Sequence, residues 1–175
     1  MFTQLLSKSP ARKAAERLYA AAAAQARAPA IYARMDVPDT VEGRFELLTL
    51  HLILPIDRLK DGPAGAAAVR QILFDVYVGN LDAALREMGV GDLAVGKRMR
   101  KLGEAFYGRA RACEAAFKVL PEAGPLEAVL ARTVFEAAPG AEPAALADYL
   151  RRCRESLAGG DVEALVAGAP SWAET

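Results

Sequence analysis

The sequence predicts an all-α protein, a single compact bundle of about six to seven helices. Apolar residues recur at steps of three and four along every long segment, which is the helical period. Residues that start and stop helices bracket these segments, and no stretch alternates apolar and polar residues as a half-buried strand does. The chain has 175 residues, 53% of them hydrophobic, and a core of that size buries about 70% of the unfolded surface. We therefore expect one domain over residues 1–175.

The first two long helices are predicted from their caps. Ser9-Pro10 can begin a helix that runs to about Arg27, because proline is favoured at the first helical position. Thr40 ends a turn and can cap a second helix, which continues to about Leu59. Pro55 lacks the amide that would bond one turn back, so we expect this helix to be kinked or broken there.

Two further long helices are predicted to meet in a tight connection. Gly89 can adopt the left-handed conformation that closes a helix, with Val90 folding back as the apolar contact. Asp92 can then cap the next helix with its short acceptor side chain. The C-terminal helices (142–167) follow a shorter one over about 126–137, and the last residues, 168–175, are expected to be frayed.

The same connection also resembles a nucleotide-binding loop. Gly91 and Gly96-Lys97 have the phosphate-loop spacing, but Arg98 stands where the motif needs a Ser or Thr hydroxyl for magnesium. Such loops also follow a buried strand, whereas the residues before Gly89 have helical periodicity. We therefore interpret this segment as a helix–helix connection.

Small residues and charge mark the helix after Asp92. Gly96 and Gly103, seven residues apart, would let another backbone approach, either that of a partner or that of a neighbouring helix of this chain. Although the net charge is zero, residues 91–118 carry seven basic and three acidic side chains, and 119–175 carry four and nine. The basic face of this helix could meet phosphate or an anionic membrane surface, or it could be an ordinary solvated face. Its members are Lys97, Arg98, Arg100, Lys101, Arg109 and Arg111.

The sequence offers few groups for chemistry. His51 is the only histidine, and its leucine neighbours indicate a core residue whose polar atoms are satisfied. Cys113 and Cys153 are too few for a disulfide framework or a typical zinc site. Glu42 and Glu46, four residues apart, are interpreted as solvated. We expect no catalytic residues, no metal and no cofactor, and hence a protein that is not an enzyme.

Neither a membrane span nor a secretory signal is expected. The most apolar run, 47–56, has ten residues, and a spanning helix needs about 20. The first residues lack a basic start followed by an apolar core and a cleavage site. The expected location is the cytoplasm of a bacterium, with peripheral contact at the inner membrane, and mitochondrial only for a eukaryotic source.

Three segments resemble one known family. Residues 32–51, 85–97 and 106–109, within a similar stretch of about 10–150, closely resemble the ubiquinol–cytochrome c chaperone family; the part from Pro139 onward is the least similar. The resemblance implies an all-helical assembly factor for the cytochrome bc complex that holds newly made cytochrome b. It also implies a small partner subunit and a contact with the ribosome, and no DNA.

The resemblance directs the choice of site residues. A client made of apolar helices needs an apolar groove rimmed by polar groups, and we expect two segments, residues 31–51 and 85–109, to form it. The alternative function is a basic helical adaptor that binds RNA or ribosomes and has no membrane-protein client. The predicted client- or partner-binding residues are Tyr32, Pro38, Asp39, Thr40, Gly43, Arg44, Phe45, Met88, Gly89, Gly91, Asp92, Lys97, Phe106, Tyr107 and Arg109.

Overall fold

The computed structural model describes residues 9–138 and 140–175, which form eight α-helices and no strand. The expectations for the N-terminal residues 1–8 lie outside this range. Six helices have eight or more residues, so the predicted all-α bundle is confirmed. In chain order the helices are α1 (Pro10–Gln25), α2 (Pro29–Arg34), α3 (Val41–Arg58), α4 (Ala66–Glu87), α5 (Asp92–Phe117), α6 (Gly124–Ala131), α7 (Ala144–Gly159) and α8 (Val162–Val166).

The predicted caps begin the first long helices. The Ser9 hydroxyl accepts a hydrogen bond from the Arg12 amide at 3.2 Å, and the Thr40 hydroxyl accepts one from the Gly43 amide at 3.0 Å. Each cap satisfies an amide that has no partner within the helix. The short helix α2 was not predicted. Pro29 is its first residue, so this proline starts a helix as well as following one.

Helix α3 is the centre of the bundle, with α1, α4, α5 and α7 packed around it. We expected a kink or a break at Pro55; the helix is continuous through this proline to Arg58, so it is not broken there. The residues around Pro55 are buried, and Leu52, Ile53 and Leu54 are each no more than 2% exposed. Packing on several sides therefore holds the backbone helical although one hydrogen bond is lost.

His51 is a core residue, as predicted. It is fully buried. With the proton on Nδ1, it donates to the Leu47 carbonyl at 2.7 Å, and Nε2 accepts from the Tyr149 hydroxyl at 3.0 Å. Gln25 donates to the same hydroxyl at 2.8 Å. Burial lowers the pKa of His51 to about 4, because an imidazolium would lose its hydration.

The C-terminal residues 168–175 pack on the bundle, which differs from the expected frayed tail. The Trp172 ring lies 5.5 Å from that of His51, and Arg152 donates to the Glu174 carbonyl at 2.8 Å. Gly168 allows this path: its φ is +94°, and a Cβ there would lie 2.7 Å from the Ala14 carbonyl oxygen. A large aromatic anchor and several polar contacts thus order the tail.

Two other features complete the fold. The helix predicted over about 126–137 is shorter, since α6 ends at Ala131 and turns follow. Throughout residues 9–138 and 140–175, no helix is both long enough and apolar enough to cross a membrane.

Candidate functional site

An apolar groove separates the body of the bundle from a hairpin made by the end of α4 and the start of α5. Its volume is about 470 Å³. The body wall comes from α1 and α3 and presents Val41, Phe45 and Leu48. The hairpin wall presents Leu81, Leu85, Met88 and Leu102. The groove is therefore lined by both of the sequence segments that were expected to form a binding surface.

Large apolar side chains are exposed at the open end of this groove. Val41 is 69% exposed and Met88 is 68% exposed, and they lie on opposite walls. Leu93, at the start of α5, is 100% exposed but lies outside the groove lining. Single exposed apolar residues are ordinary on protein surfaces, but a cluster at the mouth of an apolar groove is typical of a binding site.

Charged groups surround the body side of the groove. Arg27, Glu42 and Arg44 line it, and Arg44 donates to the Asp39 carboxylate at 2.6 Å. This hydrogen bond lowers the pKa of Asp39, which stays ionised at neutral pH. Beside this rim, Tyr32 donates to the Ala26 carbonyl at 2.8 Å and so joins α2 to the end of α1. The groove thus has the polar rim that the sequence predicted.

Glu46 lies at the floor of the groove and forms an ion pair with Arg109 of α5, which is outside the groove lining. Arg109 donates two hydrogen bonds to the Glu46 carboxylate, and the side chain of Glu46 is only 8% exposed. The expectation that Glu46 is solvated is therefore wrong, and Arg109 does not belong to the exposed basic face. Both corrections have one cause: each side chain finds its opposite charge inside the bundle, where an unpaired charge would be costly.

The turn before α3 is held in shape by a close contact. A Cβ on Gly43 would lie 2.1 Å from the Pro38 carbonyl oxygen, so only glycine fits there. Together with the Thr40 cap, this contact fixes where α3 starts and hence where Phe45 enters the groove. Pro38, Thr40 and Gly43 therefore shape the site and are not among the residues that line it.

The connection from α4 to α5 has the predicted helix-closing geometry. Gly89 has a φ of +78°, its amide donates to the Arg86 carbonyl, and the Val90 amide donates to the Leu85 carbonyl at 3.0 Å. These two bonds define a Schellman turn. A helix, not a strand, precedes Gly89, which removes the scaffold that a phosphate loop requires.

Asp92 differs from its predicted role at this connection. The N-cap of α5 is Gly91, and Asp92 is the first helical residue, with no side-chain hydrogen bond to the helix amides. Its carboxylate instead pairs with Arg86, which also pairs with Asp82 at 2.7 Å. The ion pair competes successfully for the carboxylate because Arg86 lies in the last turn of α4, next to the connection.

The two predicted aromatic residues of α5 have different environments. Phe106 is 3% exposed and packs in the core against Phe74 and Tyr77, with ring centroids 5.0 and 5.4 Å apart. It is therefore not available to a partner, which corrects its assignment to the binding surface. Tyr107 is 53% exposed, but it lines a separate cavity of about 290 Å³ between α3, α4 and α5.

The rest of the basic face is exposed on α5. Lys97, Arg98, Arg100 and Lys101, which we call the basic run, all lie at the surface, as does Arg111. Nothing lies within 4 Å of a Cβ placed on Gly96 or Gly103. These glycines therefore do not serve an internal helix crossing, and the outer surface of α5 is open.

Sequence reasoning found part of this site. Of the predicted binding residues, Arg44, Phe45 and Met88 line the groove, whereas Tyr32, Gly89, Gly91, Asp92 and Lys97 lie outside its lining. The contribution of α1 to the groove was not predicted. Its run of alanines, whose small side chains leave space beside the helix, was the available signal. The missed lining residues are Ala23, Ala26, Arg27, Val41, Glu42, Glu46, Leu48, Leu81, Ala84, Leu85 and Leu102.

Groups that could perform covalent or metal chemistry do not converge in this region. The described part of the chain holds no group of three or more His, Cys, Asp or Glu residues that could bind a metal ion. Cys113 is fully buried, and burial raises its pKa to about 12, which keeps it a thiol at neutral pH. An apolar groove with a charged rim on an all-helical domain is the arrangement of proteins that bind apolar helices.

Comparison with known proteins gives the family. The model of the family described as Ubiquinol-cytochrome C chaperone matches residues 33–172, and the chain belongs to this family. A crystal structure of the Cbp3 homolog from Brucella abortus is 36% identical, with a TM-score of 0.83, and the match covers 94% of this chain and 91% of that one. Comparison with curated proteins gave no significant match. The family match continues past Pro139 to residue 172, beyond the limit of about 150 expected from the sequence.

Proposed function

We propose that this protein is a non-enzymatic assembly chaperone that holds newly made cytochrome b for the cytochrome bc complex. Family membership supports the assembly role, and the apolar groove is the observation that carries the binding role. An apolar membrane helix would be protected from water while its side chains occupy the groove. Each leucine-sized side chain buried in this way contributes about 1.5–3 kcal/mol.

The exposed apolar mouth gives this proposal its most direct test. Met88→Glu and Val41→Glu each place a carboxylate where a client helix would lie, and both positions are solvated enough to keep the fold intact. Val119→Glu is the matched control, since Val119 is 44% exposed and lies outside the groove lining. The measurement is the amount of cytochrome b that co-purifies with each variant from cells lacking the native gene, with the assembled bc complex as a second readout.

We expect the double groove variant to retain about a tenth or less of the cytochrome b, because burying a carboxylate costs more than 1.4 kcal/mol, the value of one tenfold change. The control should retain most of it. Equal recovery with the groove variant and the control would show that the groove does not hold the client.

A second candidate function rests on the basic run. Four exposed cations within five residues of α5 favour an anionic partner. We propose that they hold the chaperone peripherally at the inner face of a bacterial membrane, near the site where the client is inserted. The alternative is an adaptor for RNA or ribosomes without a membrane-protein client, and a ribosome contact or a small partner subunit remains a prediction. Enrichment of ribosomal RNA without cytochrome b in the co-purification would favour the adaptor.

A further inference from the structure

The outer half of the α4–α5 hairpin projects away from the core. We call residues 80–102 the arm. Within the arm, Val95 is the only buried residue, whereas the inner half of the hairpin contributes Phe74, Tyr77 and Phe106 to a packed aromatic cluster. The hairpin is therefore anchored at its base. Beyond the base most of its residues are exposed, although Leu81 still packs against the core and α4 faces α1 across the groove.

The base of the arm carries a glycine in each helix at the same level. The Tyr77–Phe106 contact sets the alignment of the two antiparallel helices. Gly79 lies two residues beyond Tyr77 and Gly103 lies three residues before Phe106, so both are one step outside the aromatic cluster. A Cβ on either glycine would meet no atom within 4 Å, which means that neither glycine is required by packing.

These positions are the most deformable part of the hairpin. Glycine has the largest backbone freedom of any residue and is unfavourable inside a helix. Next to Gly79, the Asn80 side chain donates to the Val76 carbonyl at 2.8 Å, so it competes with the helix backbone for this acceptor. Further out, Arg86 pairs with Asp82 and Asp92 and ties the two helices together, so the arm can move as one unit.

We propose that the arm is a jaw that rotates about Gly79 and Gly103 and thereby opens and closes the apolar groove. Leu81, Leu85 and Met88 would move with the arm, while Val41 and Phe45 stay on the body. A groove of adjustable width accepts apolar helices whose side chains differ in size. That the groove holds a client rests on the proposed function; the rotation itself requires no client.

The rotation can be measured without a ligand by pulsed electron paramagnetic resonance. Spin labels at Leu93→Cys and Ala20→Cys join the arm to α1, and labels at Ala20→Cys and Ala158→Cys give a control distance within the body. All three positions are exposed. Cys113 and Cys153 are buried, and mass spectrometry verifies that only the introduced cysteines are labelled. We expect the arm-to-body distance distribution to be about twofold broader than the control or more.

The double variant Gly79→Ala, Gly103→Ala should narrow the arm-to-body distribution to the width of the control. Gly108→Ala is the matched variant, since it is also inside α5, also has open space around its Cβ, and lies on the body side of Phe106. It should leave the width unchanged. A wild-type distribution as narrow as the control, or one that the double variant does not narrow, would overturn the jaw. If the jaw moves as expected but the groove variants still hold cytochrome b, the proposed function fails and this inference stands.

Discussion

Acidification should destabilise the protein in part through the buried His51. It is fully buried and its pKa is lowered from 6.5 to about 4. Above pH 6.5 the imidazole is neutral in both the folded and unfolded states and has no effect. Between pH 6.5 and 4, His51 becomes protonated in the unfolded chain but stays neutral in the folded protein. The free energy of unfolding therefore decreases as the pH falls through this range. With 1.36 kcal/mol per pKa unit, the loss is about 2 kcal/mol at pH 5 and about 3 kcal/mol at pH 4.

Urea unfolding at pH 7 and pH 5 measures this loss, and His51→Gln supplies the reference. Glutamine can still accept from Tyr149 but does not titrate. Carboxylates whose pKa is lowered by ion pairs, such as Asp148 and Glu114, also lose stability in acid, but they are common to both proteins. The chain has no second histidine, so the difference between the two pH-dependent losses belongs to His51. If the wild type and the variant lose the same free energy of unfolding between pH 7 and pH 5, then His51 is not buried as a neutral imidazole in the folded protein.

Three further predictions follow from the site. Gly43→Ala should lower the free energy of unfolding by about 2 kcal/mol, since the added Cβ would overlap the Pro38 carbonyl. Gly108→Ala, where the Cβ has open space, should raise the free energy of unfolding by about 0.5–1 kcal/mol. Urea unfolding measures both, and no loss of stability for Gly43→Ala would contradict the close contact. Glu46→Gln should lower the free energy of unfolding by about 2 kcal/mol. This is less than the loss of about 3–5 kcal/mol on breaking a fully buried ion pair, because Arg109 is 22% exposed. An unchanged urea midpoint would show that the ion pair does not contribute to stability. Reversal of all four charges of the basic run should change the free energy of unfolding by less than about 0.5 kcal/mol per residue. It should also abolish salt-sensitive co-sedimentation with anionic vesicles. Unchanged co-sedimentation would show that the basic run is an ordinary solvated helix face.

Features set by neighbouring residues were predictable from the sequence. The Ser9 and Thr40 caps and the Gly89 turn each depend on contacts within about one helical turn, and each appears at the predicted position. The helical form of the long segments was predictable for the same reason, because a period of 3.6 residues places apolar side chains on one face regardless of what covers them.

Features set by distant residues were not predictable in this way. Glu46 and Arg109 are 63 positions apart, and nothing near either residue reveals the other. The helical period offered a partial signal, since Glu46 lies on the same face as Leu50 and Ile53, which are buried. A carboxylate on a buried stripe calls for a cationic partner, although the period alone does not say which one. The docking of Trp172 likewise depends on a surface that only the assembled bundle provides.

The family-like segments form the frame of the groove more than its lining. Thr40 and Gly43 fix the start of α3, Gly89 reverses the chain between α4 and α5, and Arg109 holds α5 against Glu46 at the floor. The lining itself consists of apolar side chains, which similar side chains can replace with little change in shape. The shape of an apolar groove depends on the placement of its helices and tolerates variation among its lining side chains. In this protein the motif residues therefore set the positions of the helices, and the groove lining that we propose as the binding surface comes from leucines, one valine, one phenylalanine and one methionine on those helices.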